Sequence, residues 1–539
     1  MAINMDYQEL HRTFSVCRRV AGEQLWQDLL IGAGTMSPNE FHLFLSSQGQ
    51  GAVPPFLADL AKLEWAFGRS STAKVDFNRS ENGVVLNPTL ELIELSWKNL
   101  TPLLFKNTSG STIIPEKGSE WVAVFRGPHS KKMRCRPVTD QELLGLKVVA
   151  GGLDSEQVAI ANDISVGIID RAVSQADRMG LVLAPESKII RNPAFFHAQQ
   201  KMAEYQAASV FTLQWHITQA CDLNCLHCYD RSSRQELDLE QAMAVLDDMK
   251  EFCRNRHVDG HITFTGGNPL LSPNFNELYR RANELGFSLA ILGNPAKQER
   301  IEEFANIQKP DFYQVSLEGL REHNDIIRGP GHFDRVMDFL ATLKEQDIYS
   351  MVMLTMTEAN RDQVLPLAEM LRGKTDLFTF NRLSQVGEGA QLKSADCEGF
   401  EQFLHDYALA AQKNPIMSLK DNLFNIQRYR NGEDLTGGCA GFGCGAAFNF
   451  VSLLPDGEVH ACRKFPSFIG DINNQNLADV YDGKLAEKYR NGPEACVSCP
   501  IRPVCGGCLA VGHGLGVDIF ADQDPYCFMS QSERTAGGG

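Results

Sequence analysis

Cys221, Cys225 and Cys228 stand at spacing C-x3-C-x2-C, just after an apolar, β-prone run from Val210 to Ile217. A loop at the end of a strand can turn three thiolates toward one point. Three thiolates can hold three irons of a [4Fe–4S] cluster, whose full ligand set is four. The fourth iron is then open to a small chelating molecule. Two other readings compete. A zinc site normally closes with four ligands, often supplied as CxxC pairs. Three unrelated buried cysteines would do no chemistry at all.

From about residue 209 to 384, β-prone segments alternate with amphipathic ones. Strands are predicted at 209–217, 261–266, 288–293, 311–317, 349–356 and 377–383. The stretches between them carry apolar residues at helical spacing, as in Leu239 to Arg254 with Ala242, Met243, Val245, Leu246, Met249 and Phe252. Repeated βα units predict a parallel sheet with crossover helices outside. In barrels of this kind reactive groups gather where the strands end.

Short polar motifs sit at those ends. Thr265-Gly266-Gly267-Asn268-Pro269-Leu270 follows the second strand, and two adjacent glycines let backbone approach a ligand closely. Leu292-Gly293-Asn294-Pro295 follows the third and Val315-Ser316-Leu317-Glu318-Gly319 the fourth. His323-Asn324, Arg328-Gly329, Gly331 and Phe333 come next. Thr355, Thr357 and Asn360 end the fifth strand, and Arg382-Leu383 with Gly387-Glu388-Gly389 the sixth.

In this order, behind the three cysteines, the motifs resemble those of the radical S-adenosylmethionine (SAM) enzymes. The resemblance implies an α/β fold with a partial (β/α)6 barrel. It implies a SAM-binding [4Fe–4S] cluster on Cys221, Cys225 and Cys228. Gly266, Gly267, Asn268 and Pro269 resemble the GGEP motif, with Asn268 in place of the usual Glu. Ser316 and Glu318 resemble SxDG, and with Arg328, Thr355 and Arg382 they are the expected SAM contacts. The segment His323 to Phe333 is similar to the HDxxRGxGxF signature of the peptide-modifying branch. The implied chemistry is reductive cleavage of SAM to a 5′-deoxyadenosyl radical, with a flavodoxin- or ferredoxin-like protein as electron donor. No catalytic acid or base is assigned.

Eight further cysteines crowd the end of the chain: Cys439, Cys444, Cys462, Cys496, Cys499, Cys505, Cys508 and Cys527. Their pattern resembles the SPASM extension of radical SAM maturases. It departs in one gap, Gly506-Gly507, which is one residue short before Cys508. By position the resemblance implies one auxiliary [4Fe–4S] cluster on Cys439, Cys444, Cys462 and Cys508, and a second on Cys496, Cys499, Cys505 and Cys527. The chain would then hold three clusters. CxxC pairs also suit a zinc ribbon, so zinc stays open on residues alone. Cys17, Cys135, Cys253 and Cys397 are scattered, and the expectation for them is burial as small apolar side chains.

The first two hundred residues are different in character. Residues 5 to about 105 read as mostly helical, with one helix starting at Ser37-Pro38-Asn39-Glu40 and another after Pro54-Pro55. The phrase from Pro55 to Ala66 resembles a helical module of accessory proteins to peptide-modifying iron oxygenases. Trp121 to Arg126 and Lys132 to Arg136 read as a hairpin turned by Gly127-Pro128-His129-Ser130. Three helices are predicted after it, from Thr139, Asp154 and Ser165, then a short strand Leu181-Val182-Leu183. This module is winged-helix-like and resembles the peptide-recognition elements of enzymes that modify ribosomally made peptides. There a leader peptide adds a strand to the sheet edge. Lys131, Lys132, Arg134 and Arg136 would give that edge a basic rim. Simple packing on the core and DNA binding are the alternatives.

The expected domains are a helical domain at 1–110, the winged-helix-like module at 111–190 and a linker at 191–208. The barrel at 209–390, a helical connector at 391–435, the SPASM domain at 436–530 and a disordered tail at 531–539 follow. A net charge of −16 argues against general nucleic-acid affinity. No run reaches the ~18 apolar residues of a membrane helix, so a cytoplasmic protein is expected. The resemblance implies a maturase acting on a ribosomally made precursor peptide. The layout most resembles the thio(seleno)oxazole, selenobiotic-type maturases, whose target is a Cys or selenocysteine. An anaerobic sulfatase-maturating enzyme is the nearest enzymatic alternative. A non-catalytic iron–sulfur redox sensor that binds DNA is the alternative of another class.

Overall fold

The computed structural model describes residues 8–49, 51–81, 83–105, 114–128, 130–196 and 200–535. His129 of the expected hairpin turn and residues 536–539 of the expected tail lie outside the described residues. The chain forms two compact units, Met1–Glu186 and Ser187–Gly539.

The first unit opens with helices Gln8–Thr13, Ser15–Ala21, Glu23–Ala33, Phe41–Ser47 and Leu57–Thr72. The fourth starts after Glu40 rather than at Pro38. Leu57, Leu60 and Leu63 are fully buried on one face of the last of these. From the same helix, Glu64 accepts backbone N–H bonds from Val16 (2.6 Å) and Cys17 (2.9 Å). The Ser15–Ala21 helix has no side-chain cap of its own, so this carboxylate takes up its free donors.

The helical expectation fails beyond Thr72. Val85–Leu86 (β1) and Glu91–Lys98 (β2) are strands. Ile93, Leu95 and Trp97 turn inward at every second position, with Glu94 and Ser96 exposed between them. That period-two pattern of branched and aromatic residues suits a pleated sheet. Glu116–Arg126 (β3) and Met133–Pro137 (β4) form the expected hairpin, and the sheet order β2-β3-β4 is antiparallel. The closing strand Val182–Leu183 (β5) pairs with β1 and not with the hairpin.

Three helices follow the hairpin as predicted: Asp140–Ala150, Ser155–Asn162 and Val166–Met179. Thr139 and Glu142 make a capping box on the first, Asp154 caps the second, and Gly180 ends the third at φ 80°. Gly145 lets the first and third helices touch, because a Cβ there would run into the carbonyl of Ala172.

The second unit holds six parallel strands: Val210–Thr218 (β6), Asp259–Gly266 (β7), Ser288–Leu292 (β8), Phe312–Ser316 (β9), Ser350–Met356 (β10) and Leu377–Arg382 (β11). All lie within two residues of the predicted bounds. Phe450–Leu453 (β12) lies parallel beside β6, and Glu458–His460 (β13) and Phe468–Asp471 (β14) continue antiparallel. The result is one sheet of nine strands, β11-β10-β9-β8-β7-β6-β12-β13-β14. The cysteine-rich segment therefore extends the barrel sheet rather than forming a sheet of its own. Helices Phe400–Ala411 and Phe424–Arg430 connect the two parts.

The expected linker is built into this unit. Arg191 is buried and donates to the carbonyls of Phe442 (2.7 Å) and Cys444 (2.8 Å). The tail is ordered through Thr535 as a short helix, with Arg430 paired to Glu533 at 2.7 Å. Cys17, Cys135 and Cys253 are buried as expected, but Cys397 is exposed. No helix among the described residues is long and apolar enough to cross a membrane.

Gly145→Val should wedge the helix pair of the first unit apart. Overpacking of this kind costs about 1–3 kcal/mol. Calorimetry should show a lowered transition for the first unit, with the second unit's transition unmoved.

Candidate active site and cysteine cavities

A cavity of about 430 Å³ opens at the C-terminal ends of β6 to β11, and each of those strands contributes a lining residue. Cys221, Cys225 and Cys228 line it from the loop after β6. That loop is held by backbone. Asn268 N–H donates to the carbonyl of Ala220 (2.7 Å), and Gly267 N–H to that of Thr218 (3.0 Å). Such an approach needs glycine: Gly266 sits at φ 136°, and a Cβ at Gly266 or Gly267 would strike the carbonyls of Thr218 or Ala220. From the far side, Glu388 N–H donates to the carbonyl of Cys228 at 2.8 Å.

Each thiol has a polar neighbour. Asn294 Nδ2 lies 3.6 Å from Cys221 Sγ, and Arg328 Nη1 lies 3.8 Å from Cys225 Sγ. Cys228 Sγ lies 3.2 Å from the carbonyl of Asp230. Burial pushes the Cys225 thiol up, and the Arg328 charge works against that. Two donors aimed at sulfur favour the charged thiolate that a metal needs.

Glu318 anchors that arginine. Its carboxylate accepts from Arg328 Nε (2.8 Å) and Nη2 (2.6 Å), lies 3.2 Å from His227 Nε2, and accepts from Thr355 N–H (2.8 Å). Burial opposes the charge, but His227 and Arg328 outweigh it and hold Glu318 well below the usual carboxylate range. Glu318 is 1% exposed and stands behind the cavity wall. It fixes Arg328 and the Thr355 backbone, whereas a direct ligand contact was expected.

Asn268 likewise stands behind the wall. Its Nδ2 donates to Asp222 Oδ1 (3.1 Å), which also accepts from Asn294 Nδ2 (2.6 Å). An amide can donate to this carboxylate, whereas a Glu would face it as a like charge. Pro269 is buried beside it. Gly266, Gly267, Ser316, Arg328, Thr355 and Arg382 do reach the cavity. Arg382 is nevertheless tied down: Nη1 and Nη2 donate to Asp524 (2.8 Å each) and Nε to Asp421 (2.8 Å). It is a buried tie between β11 and the tail, with three of its five N–H donors on these two carboxylates.

Sequence reasoning passed over His216, His227, Asp222, Arg463 and Lys464. His216 lines the cavity 3.4 Å from the Tyr229 hydroxyl, and burial, reinforced by Arg463, pulls its pKa down to about 3. His227 and Asp222 lie within the cysteine loop itself, which was the available signal.

The eight tail cysteines divide between two further cavities. Cys439, Cys444, Cys462 and Cys508 line one of about 290 Å³, which shares Asn381, Arg382, Arg463 and Lys464 with the first cavity. Cys496, Cys499, Cys505 and Cys527 line a small one of about 20 Å³. The short gap before Cys508 works because Gly506 (φ 73°) and Gly507 (φ 64°) both adopt left-handed backbone. The chain thereby turns Cys505 to one cavity and Cys508 to the other. Among the described residues no three His, Cys, Asp or Glu side chains close on a single metal-ion position. Tetrahedral zinc, with Zn–S of about 2.3 Å, would need its sulfurs within about 4 Å of each other. Thiols spread around a cavity wall fit a cluster of several irons better than one ion.

Comparison with known proteins bears on the same segments. Residues 215–371 match the Radical SAM superfamily, and residues 444–508 match SPASM, an iron–sulfur cluster-binding domain. The chain carries a radical SAM domain followed by a SPASM domain. Similar proteins include the AdoMet-dependent heme synthase of Methanosarcina barkeri, 26% identical over 60% of this chain and 97% of that protein. The mycofactocin maturase MftC of Mycolicibacterium smegmatis is 27% identical over 58% of this chain and 82% of its own length. The Bacillus subtilis protein AlbA of antilisterial bacteriocin subtilosin biosynthesis is 24% identical over 55% and 66%. The radical SAM match runs from within β6 to beyond β10, and the SPASM match runs from Cys444 to Cys508.

Arg382→Met should leave the carboxylates of Asp421 and Asp524 buried without a cation. Removing one partner of such a pair costs about 3–5 kcal/mol. Denaturant unfolding of the full chain should show the loss, and Cys508 and Cys527 should alkylate faster. Unchanged stability would mean that Arg382 does not act as this tie.

Proposed function

We propose that the protein is a radical SAM maturase that modifies a ribosomally made precursor peptide. The observation that carries this reading is the single cavity in which three cysteine thiols and the Gly266-Gly267 backbone share one wall. Cys221, Cys225 and Cys228 would hold a [4Fe–4S] cluster, with Gly266, Gly267, Ser316 and Thr355 placed for SAM. Bound together, these groups supply one-electron cleavage of the sulfonium and hydrogen-atom abstraction from an unactivated carbon. Within that chemistry the chain's own part is electrostatic. Asn294 and Arg328 donate toward the sulfurs, and Glu318 keeps Arg328 in place. The four-cysteine sets of the SPASM domain would hold two auxiliary clusters, giving three in all. They would pass electrons to or from a flavodoxin- or ferredoxin-like partner.

The peptide as substrate is supported by the His323 to Phe333 motif and by relatives named as a maturase and as a bacteriocin biosynthesis protein. It is supported also by the first unit, which lies outside both matched segments. There β4 is an edge strand, the kind of edge to which a peptide strand can add. Of its basic rim, Arg136 is spent on Glu142 (2.9 Å) and Arg134 reaches the carbonyl of Met179 (3.4 Å). Lys131 and Lys132 are exposed and left for an acidic leader. A Cys or selenocysteine in the precursor, modified to a thio(seleno)oxazole, is the specific form we favour. Formylglycine generation is the closest alternative.

Anaerobic incubation with SAM and a reductant should yield 5′-deoxyadenosine, and replacing all three of Cys221, Cys225 and Cys228 with Ala should abolish it. The reconstituted protein should hold about 12 irons and the triple variant about 8. An iron count near 4 with zinc present would refute the auxiliary clusters. Lys131→Glu with Lys132→Glu should weaken precursor binding several-fold while SAM cleavage continues; unchanged affinity would remove the leader-binding role.

A further inference from the structure

The cavity of about 290 Å³ carries four cations on its wall, Arg382 and a trio of Lys420, Arg463 and Lys464. Arg463 and Lys464 also line the first cavity, so they stand at the junction of the two. Among the described residues none of the three is paired with a carboxylate, in a chain whose net charge is −16. Arg382, on the same wall, shows the contrast, since Asp421 and Asp524 neutralise it. Lys420 feels Cys439 and Cys462 as well as the like charges of Lys464 and Arg463. Three like charges in one partly enclosed space repel one another. Such a wall focuses field on the cavity and draws an anion into it.

Thiolates of the tail would offset some of that charge, yet the Arg463 guanidinium is not aimed only at them. Arg463 Nη1 lies 3.1 Å from the Thr265 hydroxyl, on the strand that leads into Gly266. The carbonyl of Lys464 accepts from Ser384 Oγ at 3.0 Å, just beyond β11. The Arg463 guanidinium and the Lys464 backbone are thus pinned to barrel strand ends, in the wall of the first cavity.

We propose that Lys420, Arg463 and Lys464 form a carboxylate-binding subsite that orients the substrate between the two cavities. This rests on the reading of the first cavity as the SAM site. The carboxylate belongs either to an acidic side chain of the precursor or to its C-terminus. It is held by charge-assisted hydrogen bonds, which are about twice as strong as neutral ones.

The test uses the full chain with its clusters reconstituted, under anaerobic conditions and with SAM but no reductant. The probes are N-acetylaspartate amide, which carries a side-chain carboxylate, and N-acetylglycine, which carries a chain-end carboxylate. N-acetylasparagine amide and N-acetylglycine amide are the neutral controls. Dissociation constants from ligand-observed NMR should be at least tenfold lower for one carboxylate probe than for its control, and which probe wins identifies the source. Arg463→Met and Lys464→Met should erase that preference, whereas Lys464→Arg should keep it. Lys420→Gln serves if a methionine variant fails to take up iron. Equal binding of carboxylate and amide overturns the proposal. So does a preference that survives in the methionine variants while the midpoint potential of a tail cluster falls, because the cations would then only offset thiolate charge. Binding is read without turnover, so a failed SAM cleavage and a failed subsite give separate results.

Discussion

The buried guanidinium of Arg382 is the interaction on which the catalytic unit is hung. It leaves the last barrel strand and grips Asp524 with two bonds and Asp421 with one. Asp524 does more than neutralise it. The same carboxylate accepts the backbone N–H of Cys508 (2.8 Å) and of Tyr526 (2.9 Å), and its carbonyl accepts that of Cys527 (2.8 Å). One ion pair therefore sets a cysteine of each tail cavity against the barrel. Burying these charges is costly, and only complete pairing makes it tolerable. Tyr526 and Phe400 stack against the guanidinium and keep water away.

A second constraint shapes the mouth of the barrel. The cysteine loop is short and polar, and it must stay open on one side for a ligand. Its position is fixed from behind by groups that do not themselves reach the cavity. Glu318 holds Arg328 and His227; Asp222 gathers Asn268 and Asn294. The charges alternate outward from the sulfurs: donors next to the thiols, carboxylates behind the donors. Such an arrangement orients its donors before any ligand arrives, so little reorganisation is needed when one does.

The first unit follows other rules. It is built from short helices and two small sheets. Its three later helices are bounded by ordinary local signals, the Thr139–Glu142 box, the Asp154 cap and the Gly180 turn. Its sheet leaves β2 and β4 as edges. An open edge is a liability unless covered or used, which is consistent with the peptide-docking role proposed for it.

Much of this was legible in the residues alone. The six barrel strands announced themselves because branched and aromatic runs alternate with amphipathic helices, a periodicity local to each segment. The cysteine sets were legible because ligand spacing is a property of the chain. β2 was missed because the helical reading of the preceding segment was carried through to residue 105, past the period-two alternation of Ile93, Leu95 and Trp97 that pairs with β3. Asn268 and Glu318 were placed at the right strand ends but facing the wrong partner, and Arg382 lines the cavity while tied to buried carboxylates. Whether a polar side chain meets a ligand or a neighbour depends on charges brought from distant segments, here Asp222, Arg328 and Asp524. Local pattern thus determined which residues cluster and in what order. Long-range pairing of buried charge, which no spacing encodes, decided which of them are free to act.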